Sequence, residues 1–409
     1  MSGTPFFVRI ARPTYGKWLL SKYNVKTEGY ERIPAEGPFL ILANHVHTLD
    51  PFFIGSSLKV HVRWVAGAYL FKNRFLKSML GSWVTSIAKQ QGRSDLETIR
   101  LISSAFKEGD VVGLFPEGTR TWDGEPVGFD AATAKLVRLF NVPVVILNLE
   151  GAYGLKPRWA AVERKGGMVI RVVRVMMPEE LQQMQLSEIE KTLHQTLNFS
   201  HQAWQAVAQI PYRASRRAEG IEKLLYICPS CQSCSTITAK KDIISCTACD
   251  LTFRLDDYDN LVLEGGDSHG IMSVPAWHRW EYGELKHASQ SQKVLLFPHD
   301  EGVLLQRGLG KRLLTLSKHF TLSVETDRMV VTFPKRIESG LLQGLDSLIF
   351  DFSEMQSMII NAKSTLEFYH QNQLWRIRIS EKRSIVKYVE LFHAYSTLLL
   401  LESNKKELE

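Results

Sequence analysis

Between residues 37 and 150, short apolar runs alternate with stretches whose apolar residues recur at helical spacing. That alternation restricts the fold more than any other feature of the chain. Residues 37–43 form one apolar run, and 63–71 and 83–88 are candidate strands. Over residues 95–108, Leu96, Ile99, Ile102 and Phe106 lie on one helical face, and Gly109 can end the helix. Residues 111–115 read as a strand, 131–140 as a helix and 142–149 as another strand. This order implies an α/β core with a largely parallel or mixed sheet. Ligand sites in such sheets form at the carboxyl ends of strands. Two polar motifs fall there, Asn44-His45-Val46-His47-Thr48-Leu49-Asp50 and Phe115-Pro116-Glu117-Gly118-Thr119-Arg120.

The first motif holds a histidine and a carboxylate five positions apart, more than one helical turn. The pair must therefore span a junction, and Asn44 and Pro51 suit one. Neutral histidine titrates near ~6.5 and can take the proton of an attacking alcohol. A carboxylate on its other ring nitrogen fixes the tautomer and steadies the imidazolium. His45 is the candidate base and Asp50 its orienter; the bland alternative is a buried histidine beside a helix-start aspartate. His47 reads as a supporting or surface residue. His45, His47 and Asp50 also approach the His-x-His-x-Asp-His pattern of metal-dependent hydrolases, but Asp50 is one position late and Pro51 replaces the last histidine.

In the second motif, Gly118 lets the backbone expose its amides to a ligand. Arg120 offers a planar fork for phosphate, and Thr119 a hydroxyl. Glu117 would repel phosphate, so it accepts from a substrate hydroxyl or braces Arg120. Taken alone, this motif would be a tight turn with a surface ion pair. A base, an orienting acid and an anion cradle together suit acyl transfer to a phosphate-bearing alcohol.

Together the two motifs resemble those of the glycerophospholipid acyltransferases, specifically 1-acylglycerol-3-phosphate acyltransferases, over roughly residues 25–210. Residues 26–34 resemble the segment before the first motif, and Val142-Pro143-Val144-Val145 a fourth motif near the acyl or acceptor pocket. The resemblance implies His45 as base, Asp50 as its partner, and acceptor binding by Asn44, Glu117, Gly118, Thr119 and Arg120. It implies a fatty acyl group delivered from coenzyme A or acyl carrier protein, with no metal in the chemistry. Three positions depart from the family. Lys89-Gln90-Gln91-Gly92-Arg93 stands where an arginine is usual, leaving Lys89 or Arg93 as substitutes. Ile146 replaces a second proline, and Val46-His47 the commoner glutamine and serine. These changes bear on the acceptor head group, not on the transfer chemistry.

With 409 residues, 44% hydrophobic and 23% charged, the chain has material for two or three domains with full cores. A net charge of +7 favours acidic partners such as anionic membrane, nucleic acid or an acidic carrier protein. No run approaches the ~20 apolar residues of a membrane span, and the N-terminus lacks a signal-peptide pattern. Instead, Arg9, Arg12, Lys17, Lys22 and Lys26 are interleaved with Phe6, Phe7, Tyr15, Trp18 and Tyr23. That mixture suits a membrane interface or a surface helix broken at Pro13.

All five cysteines lie between Cys228 and Cys249. Cys228-x-x-Cys231 and Cys246-x-x-Cys249 are knuckles fourteen residues apart, spacing that closes a structural zinc site in a reducing compartment. Cys231 with Cys234 is the alternative first pair; Tyr226-Ile-Cys-Pro-x-Cys, which resembles the opening of zinc ribbons, favours Cys228. Residues 188–225 read as helical. Beyond residue 293, β-rich segments at 293–306, 320–332, 348–360 and 365–380 precede a helix at 384–400. That pattern resembles a pleckstrin-homology-like barrel. Lys311, Arg312, Lys318, Lys335 and Arg336 are candidates for anionic lipid, and stacking aromatics for nucleic acid are not evident.

The expectation is therefore an α/β acyltransferase domain over 1–215 with its sheet flanked by helices, a zinc ribbon over 216–265, and a β-rich domain with a C-terminal helix over 266–409. The expected activity is transfer to a lysophospholipid, most directly 1-acylglycerol-3-phosphate, by a cytoplasmic protein peripherally bound to membrane. The rival readings are a non-catalytic lipid-binding or scaffold protein and a metal-dependent hydrolase.

Overall fold

The computed structural model describes residues 4–67, 78, 81, 84–89, 96–291, 297–310, 312–325, 327–335, 343–361, 363–381 and 383–406. The chain forms two compact units, one of Met1–Arg158 and Glu163–Ala214, the other of Trp159–Val162 and Ser215–Glu409.

The first unit is built on a seven-stranded sheet. Its strands are β1 (Val25–Glu28), β2 (Phe39–Ala43), β3 (Val62–Gly67), β4 (Ile87–Lys89), β5 (Val111–Leu114), β6 (Val144–Glu150) and β7 (Met168–Met176). The order is β1-β7-β6-β2-β5-β3-β4. Every neighbouring pair is parallel except β6 with β7. The apolar runs of β2, β5 and β6 are buried along their whole length, as central parallel strands require when both faces are covered.

Side-chain alternation divides that burial between two cores. Phe39, Ile41 and Ala43 pack with Phe53 and Ile54 of the helix Asp50–Ser57 and with Leu19 and Tyr23 of the N-terminal segment. Leu40 and Leu42 point the other way, toward Ile102 and Phe106 of the helix Leu96–Lys107, Val137 of Ala132–Phe140, and Ile189 and Leu193 of Leu186–Leu197. Each such side chain contributes about 1.5–3 kcal/mol on burial. The cores hold β2 and β5 rigidly, and the first residue of each motif follows directly from those strands.

Local differences from the sequence expectation have local causes. Thr85 takes a left-handed φ of 49°, so the edge strand begins at Ile87 rather than at 83. Residues 68–71 and 83 of the expected strands lie outside the described residues. The helical stretch expected to reach 225 ends sooner: His201–Ala208 is capped by left-handed Gln209, and Pro211 cannot extend it. The N-terminal segment is not broken at Pro13. It runs from the helix Phe6–Ala11 through a π turn at Arg12–Gly16 into the helix Lys17–Lys22, the wider turn accommodating the proline ring.

The second unit contains a four-stranded antiparallel sheet, β8 (Ile237–Lys240), β9 (Ile243–Cys246), β10 (Thr252–Leu255) and β11 (Leu261–Gly265). An eight-stranded antiparallel sheet follows: β12 (Asp300–Leu309), β13 (Arg312–Ser317), β14 (Phe320–Val324), β15 (Arg328–Thr332), β16 (Ser347–Asp351), β17 (Met355–Asn361), β18 (Thr365–His370) and β19 (Gln373–Ile379). Strand β12 pairs with β13, β14 and β19, shifting register along its length. The helix Val386–Lys406 closes the chain, with Tyr388, Leu391 and Phe392 buried. One helix, Val274–Ser291, lies between the sheets where none was expected.

Candidate active site and cysteine cluster

Strands β2 and β5 are parallel neighbours, Leu42 opposite Leu114, so the two motifs emerge side by side at one edge of the sheet. Thr121 N–H donates to the His45 carbonyl at 3.1 Å, and His45 N–H to Glu117 Oε1 at 3.3 Å. The motifs are thus bonded to each other through backbone as well as adjacent.

Asp50 opens its helix with Pro51 in the first turn, where a carboxylate is favoured by the helix dipole. Its side chain is fully buried, and Oδ2 accepts from His45 Nδ1, Val46 N–H and His47 N–H, each at 2.8 Å. An ionised carboxylate only accepts, so Nδ1 carries the imidazole proton and Nε2 is the basic atom. Among the described residues Nε2 has no protein partner. The ring stacks on Phe115, centroids 4.3 Å apart, and Phe115 in turn stacks on Trp64 at 4.8 Å. Gly113 makes room for this pile, since a Cβ there would lie 2.5 Å from the Trp64 ring. Desolvation lowers the His45 pKa; the bond and charge of Asp50 oppose that, while Arg120 and Arg158 add to it. His45 is held neutral near pH 7, the state a base needs.

In the second motif Gly118 adopts a φ of +68° and faces open space. Arg120 Nη1 donates to Thr48 Oγ1 at 2.8 Å, so the guanidinium stands over the first motif. The Glu117 carboxylate takes the backbone N–H groups of His45 and Val127. Burial pushes its pKa up to about 8, tempered by the solvent that still reaches part of the residue. Near pH 7 it is largely protonated, which removes the objection that it would repel a phosphate.

Several expected residues occupy other places. Asn44 is 3% exposed and its Oδ1 accepts from Leu149 N–H at 2.8 Å, tying the end of β2 to β6. Lys89 ends the edge strand β4, exposed and two strands beyond β5; Arg93 lies outside the described residues. His47 is no surface residue. At 1% exposure its ring lies against Tyr23 and Phe53, Nδ1 accepts from Leu49 N–H, and burial lowers its pKa to about 4. Because His47 Nδ1 accepts a backbone N–H, its Nε2 carries the ring proton and offers no lone pair to a metal beside His45. Arg158, not singled out from the sequence, donates to Thr119 Oγ1 at 2.9 Å and to the Arg120 carbonyl at 3.0 Å.

The family model for acyltransferases matches residues 24–149 of this chain. That stretch is an acyltransferase domain, similar to those of glycerophospholipid acyltransferases. The chain is 27% identical over 128 residues to a 1-acyl-sn-glycerol-3-phosphate acyltransferase of Bacillus subtilis, covering 31% of this chain and 63% of that one. It is 25% identical over 175 residues to the enzyme of that name from Saccharomyces cerevisiae, covering 42% and 57%. The chain therefore spans less than two-thirds of these relatives' length. A crystal structure of a 1-acyl-sn-glycerophosphate acyltransferase from Thermotoga maritima aligns with a TM-score of 0.41 at 21% identity, over 47% of this chain and 76% of that one.

In the second unit, Cys228, Cys231, Cys246 and Cys249 converge, all four sulfurs within 4.8 Å of one another. Cys228 and Cys249 Sγ are 3.7 Å apart, Cys231 and Cys246 3.8 Å. Four thiolates about 2.3 Å from a tetrahedral zinc are separated by about 3.8 Å, so this donor set fits the ion. Ala248 N–H donates to Cys246 Sγ at 3.3 Å. Cys234 lies opposite Ile227 in an antiparallel bridge and is outside the cluster. The helix Val274–Ser291 seats the first knuckle: Trp277 Nε1 donates to the Ile227 carbonyl at 2.8 Å, and fully buried Glu281 accepts from Tyr226 and Ile227 N–H at 2.8 and 3.0 Å. Val274, Trp277, Glu281, Leu285 and Ala288 mark its buried face at helical spacing, the signal that was available in the sequence.

Proposed function

We propose that this chain transfers a fatty acyl group from a coenzyme A or acyl carrier protein thioester to the hydroxyl of a lysophospholipid, with 1-acylglycerol-3-phosphate as the acceptor. The observation that carries the reading is the His45–Asp50 pair, its basic nitrogen unengaged, bonded through backbone to the 115–120 turn. The names of the similar Bacillus and Saccharomyces proteins support the acceptor. In this reading His45 Nε2 takes the acceptor's hydroxyl proton as its oxygen attacks the thioester carbonyl. Collapse of the tetrahedral intermediate breaks the C–S bond, and the imidazolium returns its proton to the departing thiolate. Arg120 holds the acceptor phosphate, the left-handed Gly118, whose own N–H donates to the Phe115 carbonyl at 3.1 Å, leaves the approach to it open, and protonated Glu117 keeps negative charge out of the cradle.

The exposed Phe6, Phe7, Ile10, Tyr15 and Trp18 of the N-terminal segment support peripheral contact with a membrane, as a water-insoluble acceptor requires. No helix among the described residues is long and apolar enough to cross one. The four-cysteine cluster is read as a structural zinc ribbon in a reducing, cytoplasmic setting, and the eight-stranded sheet with its final helix as a pleckstrin-homology-like module. Of the cations considered there for lipid, Arg312, Lys318 and Lys335 are exposed, whereas Lys311 and Arg336 lie outside the described residues.

The test is incubation of purified protein with labelled acyl-CoA or acyl carrier protein and a panel of lysolipids, His45→Ala in parallel. Transfer to lysophosphatidate that disappears in the variant is expected. No transfer to any acceptor would sink the reading. Bound zinc should fall in Cys228→Ser and Cys246→Ser; undiminished zinc would remove the ribbon.

A further inference from the structure

Arg158 is a deeply buried cation, 4% exposed, at the end of the segment that follows the short helix Ala152–Leu155. Nη1 reaches two successive residues of the second motif, the Thr119 hydroxyl and the Arg120 carbonyl. The guanidinium lies over the Trp122 ring, 4.4 Å from its centroid, and the Trp122 carbonyl accepts from buried Tyr153 OH at 3.2 Å. Arg120 in turn reaches Thr48, and Thr121 holds the His45 carbonyl. One planar cation therefore links the anion cradle to the loop that carries the base.

We propose that Arg158 is a positioning residue for the proposed acyl transfer: it locks Thr119 and Arg120 in the conformation that aims the cradle beside His45, and it adds fixed positive charge there. A lysine would keep the charge but could not make both bonds and stack on Trp122. The charged groups facing His45 are Asp50 from its helix, Glu117 and Arg120 from the turn, and Arg158 from below it. Asp50 raises the His45 pKa, and the two arginines lower it. Removing the Arg158 charge must then raise it, so the acid limb of the rate profile moves to higher pH.

The test compares Arg158→Gln, Arg158→Lys and Thr119→Val in the full chain, with thermal melts to establish folding. Two readouts are taken: acceptor KM and kcat across pH with acyl-CoA and lysophosphatidate, and the titration of the His45 ring by NMR. Arg158→Gln should raise acceptor KM by roughly tenfold or more and move the His45 titration upward. Arg158→Lys and Thr119→Val should raise KM while His45 titrates as in the wild type. If Arg158→Gln does not fold, the other two decide the positioning role. An unchanged KM in the folded variants, or a His45 titration indifferent to Arg158→Gln, overturns the proposal. Should the wild type transfer to no acceptor, the acyl-transfer reading fails by itself, and the His45 titration still judges Arg158.

Discussion

Replacing Asp50 with asparagine changes one atom and should disable the base without dismantling the fold. The Asp50 carboxylate is fully buried and takes three N–H groups at 2.8 Å on one oxygen. In Asp50→Asn the single carbonyl oxygen stays with the Val46 and His47 amides, which are fixed in the backbone. The NH2 group then faces His45 Nδ1, which must become an acceptor, and the ring proton moves to Nε2. Nε2 can no longer take a proton, and the imidazolium loses a neighbouring charge. The two effects together raise the barrier by about 3–5 kcal/mol, a 10²–10⁴-fold loss of kcat. Acceptor KM should change little, because the cradle bonds to other groups. Asp50 raises the His45 pKa, so its loss lets that pKa fall and carries any residual acid limb to lower pH. Steady-state rates with labelled acyl-CoA and lysophosphatidate over pH 5–9 (a range of about four units) measure both effects. A variant with near wild-type kcat, or with its acid limb displaced to higher pH, would refute this division of roles.

Other positions give separable outcomes. His47 titrates near 4 in the folded chain and 6.5 in the unfolded one, so the unfolded state binds the extra proton between those values. Wild-type stability should drop by up to about 3 kcal/mol as pH falls through that window, and chemical denaturation of His47→Gln should lack the drop. Glu117 has the opposite sign: with its folded pKa raised from 4.5 to about 8, the folded state holds the extra proton, and stability declines as pH rises across that range. Glu117→Gln should flatten the decline and retain activity at pH 7; a dead, fully folded variant would mean that the ionised carboxylate is required. Gly118→Val should lose about 1–2 kcal/mol to its left-handed φ and raise acceptor KM, whereas unchanged KM would remove Gly118 from the cradle.

The α/β core was legible because its central strands are continuous apolar runs, and because helix Leu96–Lys107 repeats its apolar residues on one face. The His45–Asp50 pair and the 115–120 turn could be placed because parallel strands deliver their following loops to one edge. Partnerships across long separations were not legible. Arg158 meets Thr119 and Arg120 only in the fold, and Asn44 accepts from Leu149 N–H, 105 residues on. Glu117 could be read as a ligand or a brace from its chemistry, but only the fold gives it backbone partners and burial. His47 follows apolar Val46 and looks like a loop residue, yet Tyr23 and Phe53, far apart in sequence, close over it. Charged residues interleave the buried stripe of the helix Val274–Ser291, one of whose members is the glutamate beneath a cysteine knuckle, and so mask its period.

The most direct measurement is a single-turnover assay with enzyme in excess over labelled acyl-CoA and saturating lysophosphatidate, comparing the wild type with His45→Gln. The account predicts phosphatidate from the wild type and a loss on the order of 10³-fold or more in the variant. Equal rates from the two proteins, or no phosphatidate from the wild type, would contradict it.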